Sequence, residues 1–100
     1  MSRGFVVRYE MRPETADENQ RLVEDVFAEL ADKRPEGLRY ASFRLADGVT
    51  FVHVGIADDG NEALSETTAF QTFQKGFADR AASPPVAEAA ELLGAYGFDS

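Results

Sequence analysis

Eight consecutive residues, Val49-Thr50-Phe51-Val52-His53-Val54-Gly55-Ile56, constrain this chain more than any other stretch. Their alternation has a period of two, which predicts a β-strand with two different faces. One face, Thr50, Val52, Val54 and Ile56, is almost wholly apolar. The other, Val49, Phe51, His53 and Gly55, combines an aromatic ring, the single histidine of the chain and a position without a side chain. Just upstream, Leu38 to Leu45 alternates as well, with Ala41, Phe43 and Leu45 on one side and Tyr40, Ser42 and Arg44 on the other. Asp47-Gly48 separates the two runs and predicts a hairpin, because a tight turn needs positive φ. The two strands are therefore expected to be antiparallel neighbours.

The flanking sequence supplies the remaining elements. Phe5 to Met11 alternates, with Phe5, Val7, Tyr9 and Met11 opposed to Val6, Arg8 and Glu10. Pro13 ends that strand, and Thr15-Ala16-Asp17-Glu18 has the spacing of a capping box with Thr15 as N-cap. Leu22, Val23, Val26, Phe27 and Leu30 then recur at helical spacing, predicting an amphipathic helix closed by Pro35-Glu36-Gly37. Asp58-Asp59-Gly60-Asn61 reads as a polar turn; it lacks the spacing and terminal glutamate of a calcium loop, so no metal is expected. A second helix is predicted from about Thr67 to Ala81 on the stripe Ala69, Phe70, Phe73 and Phe77. Ser83-Pro84-Pro85 breaks the chain, and a last strand is expected over about 90–97.

Composition excludes several classes of function. The 100 residues suit one domain spanning 1–100. With no cysteine, disulfides, thiolate metal sites and cysteine nucleophiles are ruled out together. A net charge of −8 opposes nucleic-acid binding, which needs a basic stripe to release counterions. No run of about 18 apolar residues is present to span a membrane, and the first residues do not read as a signal peptide, so the expected location is the cytoplasm.

The order β-α-β-β-α-β predicts an α+β fold of ferredoxin-like topology, an antiparallel sheet with both helices on one face. Sorted by polarity, the sets Phe5/Val7/Tyr9, Ala41/Phe43/Leu45 and Val52/Val54/Ile56 are expected to meet the helices. Val6, Arg8, Glu10, Tyr40, Ser42, Arg44, Phe51, His53 and Gly55 are expected on the other face. That face is too aromatic to be left wet. RNA-recognition domains stack bases on such a sheet, with Phe51 a candidate, but the basic-glycine-aromatic signature is missing from the third strand and the charge is wrong. Two copies laying their sheets together, as a homodimeric α/β barrel, answer the difficulty better.

Several stretches carry a resemblance that covers nearly the whole chain: Val6-Val7-Arg8-Tyr9, Glu18-Asn19-Gln20-Arg21-Leu22, Pro35-Glu36-Gly37-Leu38-Arg39-Tyr40, Asp47-Gly48-Val49-Thr50-Phe51-Val52-His53 and Ala69-Phe70-Gln71-Thr72-Phe73. In these the sequence resembles the dimeric α/β-barrel superfamily, particularly antibiotic biosynthesis monooxygenase-like proteins. The superfamily includes monooxygenases, haem degraders and isomerases. The resemblance implies a homodimer, and for the monooxygenases a phenol-like polycyclic substrate oxidised without a cofactor. The tryptophan those enzymes use is missing here. Haem degradation is disfavoured, because the haem degraders use an asparagine, a tryptophan and a histidine on a helix, whereas here tryptophan is missing and His53 sits on a strand.

From the residues themselves, His53 is the candidate general base, since an imidazole pKa near 6.5 needs little tuning at neutral pH. Arg44, Tyr40 or Arg8 would steady a developing oxyanion. Phe51, Phe70 and Phe73, with Arg8, are the candidate contacts for a compact aromatic metabolite. The alternative is a non-enzymatic dimeric or accessory module. His53 would then only satisfy hydrogen bonds at the interface, with Glu10 or Ser42, and Arg8, Glu10 and Arg44 would form a salt-bridge network.

Overall fold

The computed structural model describes residues 2–58 and 62–96. In chain order these form β1 (Ser2–Glu10), a 3-10 turn (Pro13–Thr15), α1 (Ala16–Lys33), β2 (Leu38–Arg44), β3 (Thr50–Asp58), α2 (Ala63–Glu66), α3 (Thr68–Lys75), α4 (Phe77–Arg80) and β4 (Val86–Ala90). The sheet order is β2-β3-β1-β4 and every neighbouring pair is antiparallel. This is the predicted α+β, ferredoxin-like arrangement. Asp59, Gly60 and Asn61, the core of the polar turn, lie outside the described residues. Among the described residues no group of acidic or histidine side chains is placed to hold a metal.

The Asp47-Gly48 hairpin forms as expected. Gly48 takes φ 79°, and Asp47 accepts hydrogen bonds from the backbone N–H of Val49 and Thr50 and from the Thr50 hydroxyl. The first helix also forms, and it stops where Arg34 turns left-handed at φ 48° ahead of Pro35. The predicted capping box does not form. A 3-10 turn leads into the helix instead, and Thr15 Oγ1 donates to the carbonyls of Arg12 and Arg80.

Register corrects the expected faces of β2 and β3. Residues directly opposed in a sheet share a face, and here Tyr9 pairs with Phe51, Val7 with His53 and Phe5 with Gly55. Across β2 and β3, Ser42 pairs with His53 and Arg44 with Phe51. Phe5, Val7 and Tyr9 do meet the helices, but they do so beside Tyr40, Ser42, Phe51, His53 and Gly55. The face away from the helices carries Val6, Arg8, Glu10, Ala41, Phe43, Val52, Val54 and Ile56, with Glu91, Leu92, Gly94 and Ala95 against its edge. Apolarity could not choose between the faces because both are apolar, one through aromatic rings and the other through β-branched side chains. Tyr9, Phe51, Val23, Val26 and Phe73 form the core between sheet and helices. Gly55 belongs to this packing, since the Phe5 ring occupies the space a Cβ would need.

The C-terminal half departs twice more from expectation. The single helix over Thr67 to Ala81 is split at Gly76, with the short α2 before it; Thr67 caps α3 by accepting from the Phe70 N–H at 3.2 Å. A Cβ at position 76 would approach Arg80 Nη1 to 2.9 Å, so the glycine leaves room for that guanidinium. The last strand is Val86–Ala90 rather than 90–97. It starts at once after the proline break and pairs with Gly4–Arg8 of β1, and that pairing overrides the helix preference of its alanines and glutamate.

Candidate functional site

His53, 4% exposed, points from the middle of β3 into the layer between sheet and helices. Its neighbours follow from the register: Ser42 stands opposite on β2, Tyr40 lies two residues along the same strand, and Tyr9 reaches it from β1. Both imidazole nitrogens are engaged. Nε2 is 2.6 Å from Tyr9 Oη; Nδ1 is 2.5 Å from Tyr40 Oη and 2.8 Å from Ser42 Oγ. Behind Tyr9, the fully buried Asn19 of α1 donates from Nδ2 to Tyr9 Oη at 3.0 Å and accepts from Arg80 Nε at 3.3 Å. Arg80, 5% exposed, also donates to the Phe73 carbonyl and lies 5.3 Å over the Phe73 ring.

Burial dominates the electrostatics. It lowers the His53 pKa to about 4, so the ring is neutral near pH 7. It raises the Tyr40 hydroxyl to about 12 and lifts Tyr9 as well, more than the Asn19 hydrogen bond lowers it. The array is therefore one of neutral hydroxyls and a neutral imidazole. It can give and take hydrogen bonds at fixed points, but its ring nitrogens are not free to meet a ligand as an open base.

His53, Tyr40 and Tyr9 line a cavity of about 370 Å³, together with Phe5, Val7, Leu64, Phe70, Phe73, Gln74 and Phe77, and no charged residue is among its lining. That volume lies within the range of about 300–1,000 Å³ usual for small-molecule sites. A second hollow of about 230 Å³ lies by the C-terminal segment, against Gly4, Arg39, Ile56 and Leu92. It shares only Phe5 and Tyr40 with the first and does not reach His53.

The structure thus brings His53, Tyr40, Phe70 and Phe73 together at one cavity. Phe51 is placed behind it, stacked on Tyr9 at 5.6 Å between ring centres. Arg44 is elsewhere: its guanidinium binds Asp17 at 3.0 Å, Gln20 at 2.7 Å and the Gly48 carbonyl, and covers the Phe51 ring. Arg8 and Glu10 are exposed on the opposite face of the sheet, so neither Arg8 nor the expected Glu10–His53 contact reaches the cavity.

Sequence reasoning missed Asn19, Tyr9 and Arg80 as members of the site. A signal was present for two of them. Asn19 precedes Val23 and Val26 at helical spacing, and Arg80 continues the stripe of Phe73 and Phe77; a polar side chain on a core stripe asks for a buried partner.

No known family profile matches the sequence, and no curated protein matches it. Solved structures do. A candidate antibiotic biosynthesis monooxygenase from Nitrosomonas europaea superposes with a TM-score of 0.77 at 18% identity, over 92% of this chain and 90% of the other. A second candidate of that kind, from Caulobacter crescentus, gives 0.74 at 23% identity, over 93% and 91%. A variant of SnoaB, a cofactor-independent oxygenase from Streptomyces nogalater, gives 0.69 at 14% identity, over 96% and 97%. The chain therefore has the fold of the antibiotic biosynthesis monooxygenase-like structures, as the sequence resemblance implied.

Proposed function

We propose that this protein binds a compact, uncharged aromatic metabolite in the cavity beneath α3 and oxidises it with dioxygen without a cofactor. The observation that carries this reading is the cavity itself, lined by aromatic and aliphatic side chains with Gln74, free of charge, and bounded by Tyr40 and His53, which contact each other. The fold shared with a cofactor-independent oxygenase supports it, as an analogy of fold. In the reaction, an anthrone-type ligand loses a proton to solvent as its enolate oxygen takes up the hydrogen bond of Tyr40. The carbanion then reduces dioxygen. The ring CH2 becomes C=O, with one oxygen atom entering the ketone and the other leaving as water with both hydrogens. His53 holds Tyr40 in place.

A homodimer is part of the proposal. Val6, Ala41, Phe43, Val52, Val54 and Ile56 make an apolar sheet face over which, among the described residues, no helix packs, and Phe43 is 51% exposed. A second copy laid on that face would close the barrel.

Oxygen uptake with anthrone tests the enzymatic part. We expect one dioxygen consumed per anthrone, and a large loss of rate in Tyr40→Phe and His53→Gln at matched folded fraction. Uptake no faster than in buffer would leave a ligand-binding protein without this chemistry. That second reading is favoured by one observation, the engagement of both His53 nitrogens by hydroxyls. It predicts a raised melting temperature with aromatic ligands but no turnover.

A further inference from the structure

The hydrogen bonds behind the cavity run in one direction, and that direction is set at the end farthest from the cavity. Arg80 carries donors only. Its Nε–H claims Asn19 Oδ1, which turns the Asn19 Nδ2 toward Tyr9 Oη and forbids the flipped amide. Tyr9 is 3% exposed and already accepts from Asn19, so the place for its own hydrogen is the 2.6 Å line to His53 Nε2. A proton on Nε2 would make Tyr9 accept twice and strand its hydroxyl hydrogen in the core.

We propose that Arg80 and Asn19 are positioning residues which hold His53 in the tautomer protonated on Nδ1, and so leave the Tyr40 hydroxyl hydrogen to donate into the cavity. Counting hydrogens carries the second half. Nδ1 touches both Tyr40 Oη and Ser42 Oγ. If Nδ1 were bare, it would be the acceptor for these hydroxyls and the Tyr40 hydrogen would point at the ring. With Nδ1 protonated, the ring donates to the oxygens and cannot accept, so the Tyr40 hydrogen must turn away from it. Tyr40 lines the cavity, so that hydrogen has the cavity to turn into. The cavity therefore suits a ligand that presents an accepting oxygen, a carbonyl, quinone or enolate on an aromatic frame. This ligand class rests on the reading of the cavity as a ligand site; the tautomer does not.

The single histidine makes the proposal readable by NMR. In protein labelled with 15N-histidine, two-bond proton–nitrogen correlations near pH 7 should show a protonated, pyrrole-type Nδ1 and a bare, pyridine-type Nε2. Asn19→Asp replaces the donor to Tyr9 with an acceptor; Tyr9 then donates to the carboxylate, Nε2 takes the proton, and the two resonances exchange types. Arg80→Met, which frees the Asn19 amide to rotate, should give averaged shifts, and serves should Asn19→Asp not fold. A pyrrole-type Nε2 in the unmodified chain would overturn the proposal, as would an unchanged spectrum in folded variants. A pair of probes of nearly equal shape tests the donor. Fluorenone should bind more tightly than fluorene, and Asn19→Asp should abolish the preference; equal affinity in the unmodified chain would overturn the Tyr40 assignment. Because the spectra need no ligand, a chain that binds neither probe would sink the ligand-site reading and leave the tautomer result standing.

Discussion

Ser42 and His53 face each other directly across β2 and β3, and their side chains meet at 2.8 Å, Oγ to Nδ1. This pairing places the imidazole inside the molecule, under the helices, and leaves the valines of β3 on the opposite face. One register therefore decides both which face holds the candidate site and which face points away from the helices.

Acid should destabilise the protein through His53. Its folded pKa of about 4 lies below the ordinary 6.5, so between those values the unfolded chain binds the extra proton and stability falls as pH falls. Each pH step of one between the two values removes about 1.4 kcal/mol, so the loss should reach about 3 kcal/mol near pH 4 and then level off. Urea denaturation between pH 7 and 4 checks this, and His53→Gln should lack that part of the slope.

Tyr9→Phe removes one hydroxyl and leaves two buried groups, Asn19 Nδ2 and His53 Nε2, without their partner. We expect a loss of about 2–6 kcal/mol, from about 1–3 kcal/mol for each of the two unsatisfied buried groups. Chemical denaturation measures it; a change below about half a kcal/mol would mean that the network stabilises nothing.

Gly55→Ala should clash with the ring of Phe5, which also lines the cavity. Overpacking of this kind costs about 1–3 kcal/mol. The double variant with Phe5→Ala should lose less than the sum of the two singles, because the clash is then gone.

Val54→Asp puts a charge in the middle of the sheet face away from the helices, beside Val6 and Ala41, its partners in the two neighbouring strands. If two copies meet there, light scattering of the unmodified chain should give about twice 11.0 kDa and the variant about 11.0 kDa, with its far-UV circular dichroism retained.

Much of the fold was legible because its signals are local. Period-two runs, Asp47-Gly48 and the stripe of Val23, Val26 and Phe27 each report their own element. What was hidden depends on pairing between distant segments. The face of His53 is set by Val7 opposite it, and nothing within residues 49–56 records that neighbour. The end of α3 follows from the room Arg80 needs over Gly76, and β4 from the edge that β1 offers it. In the site, Tyr40, His53, Phe70 and Phe73 could be named from residue type. Arg44 was misplaced because a cation beside an aromatic strand looks the same whether it serves a ligand or, as here, Asp17 and Gln20. Asn19 and Arg80 were readable only as polar interruptions of apolar stripes.

Arg80 and Asn19 are 61 residues apart in sequence, and Tyr9 and His53 are 44 apart. Such contacts form only after long loops have closed, so they belong late in the folding of the chain rather than to its first collapse. The Asp47–Thr50 hairpin, closed by near neighbours, belongs early. If Arg80 and Asn19 set the His53 tautomer as proposed, the protonated nitrogen is also a clock: it is fixed only once α4 has docked, and a chain caught before that moment would hold the right strands around a cavity that is not yet wired.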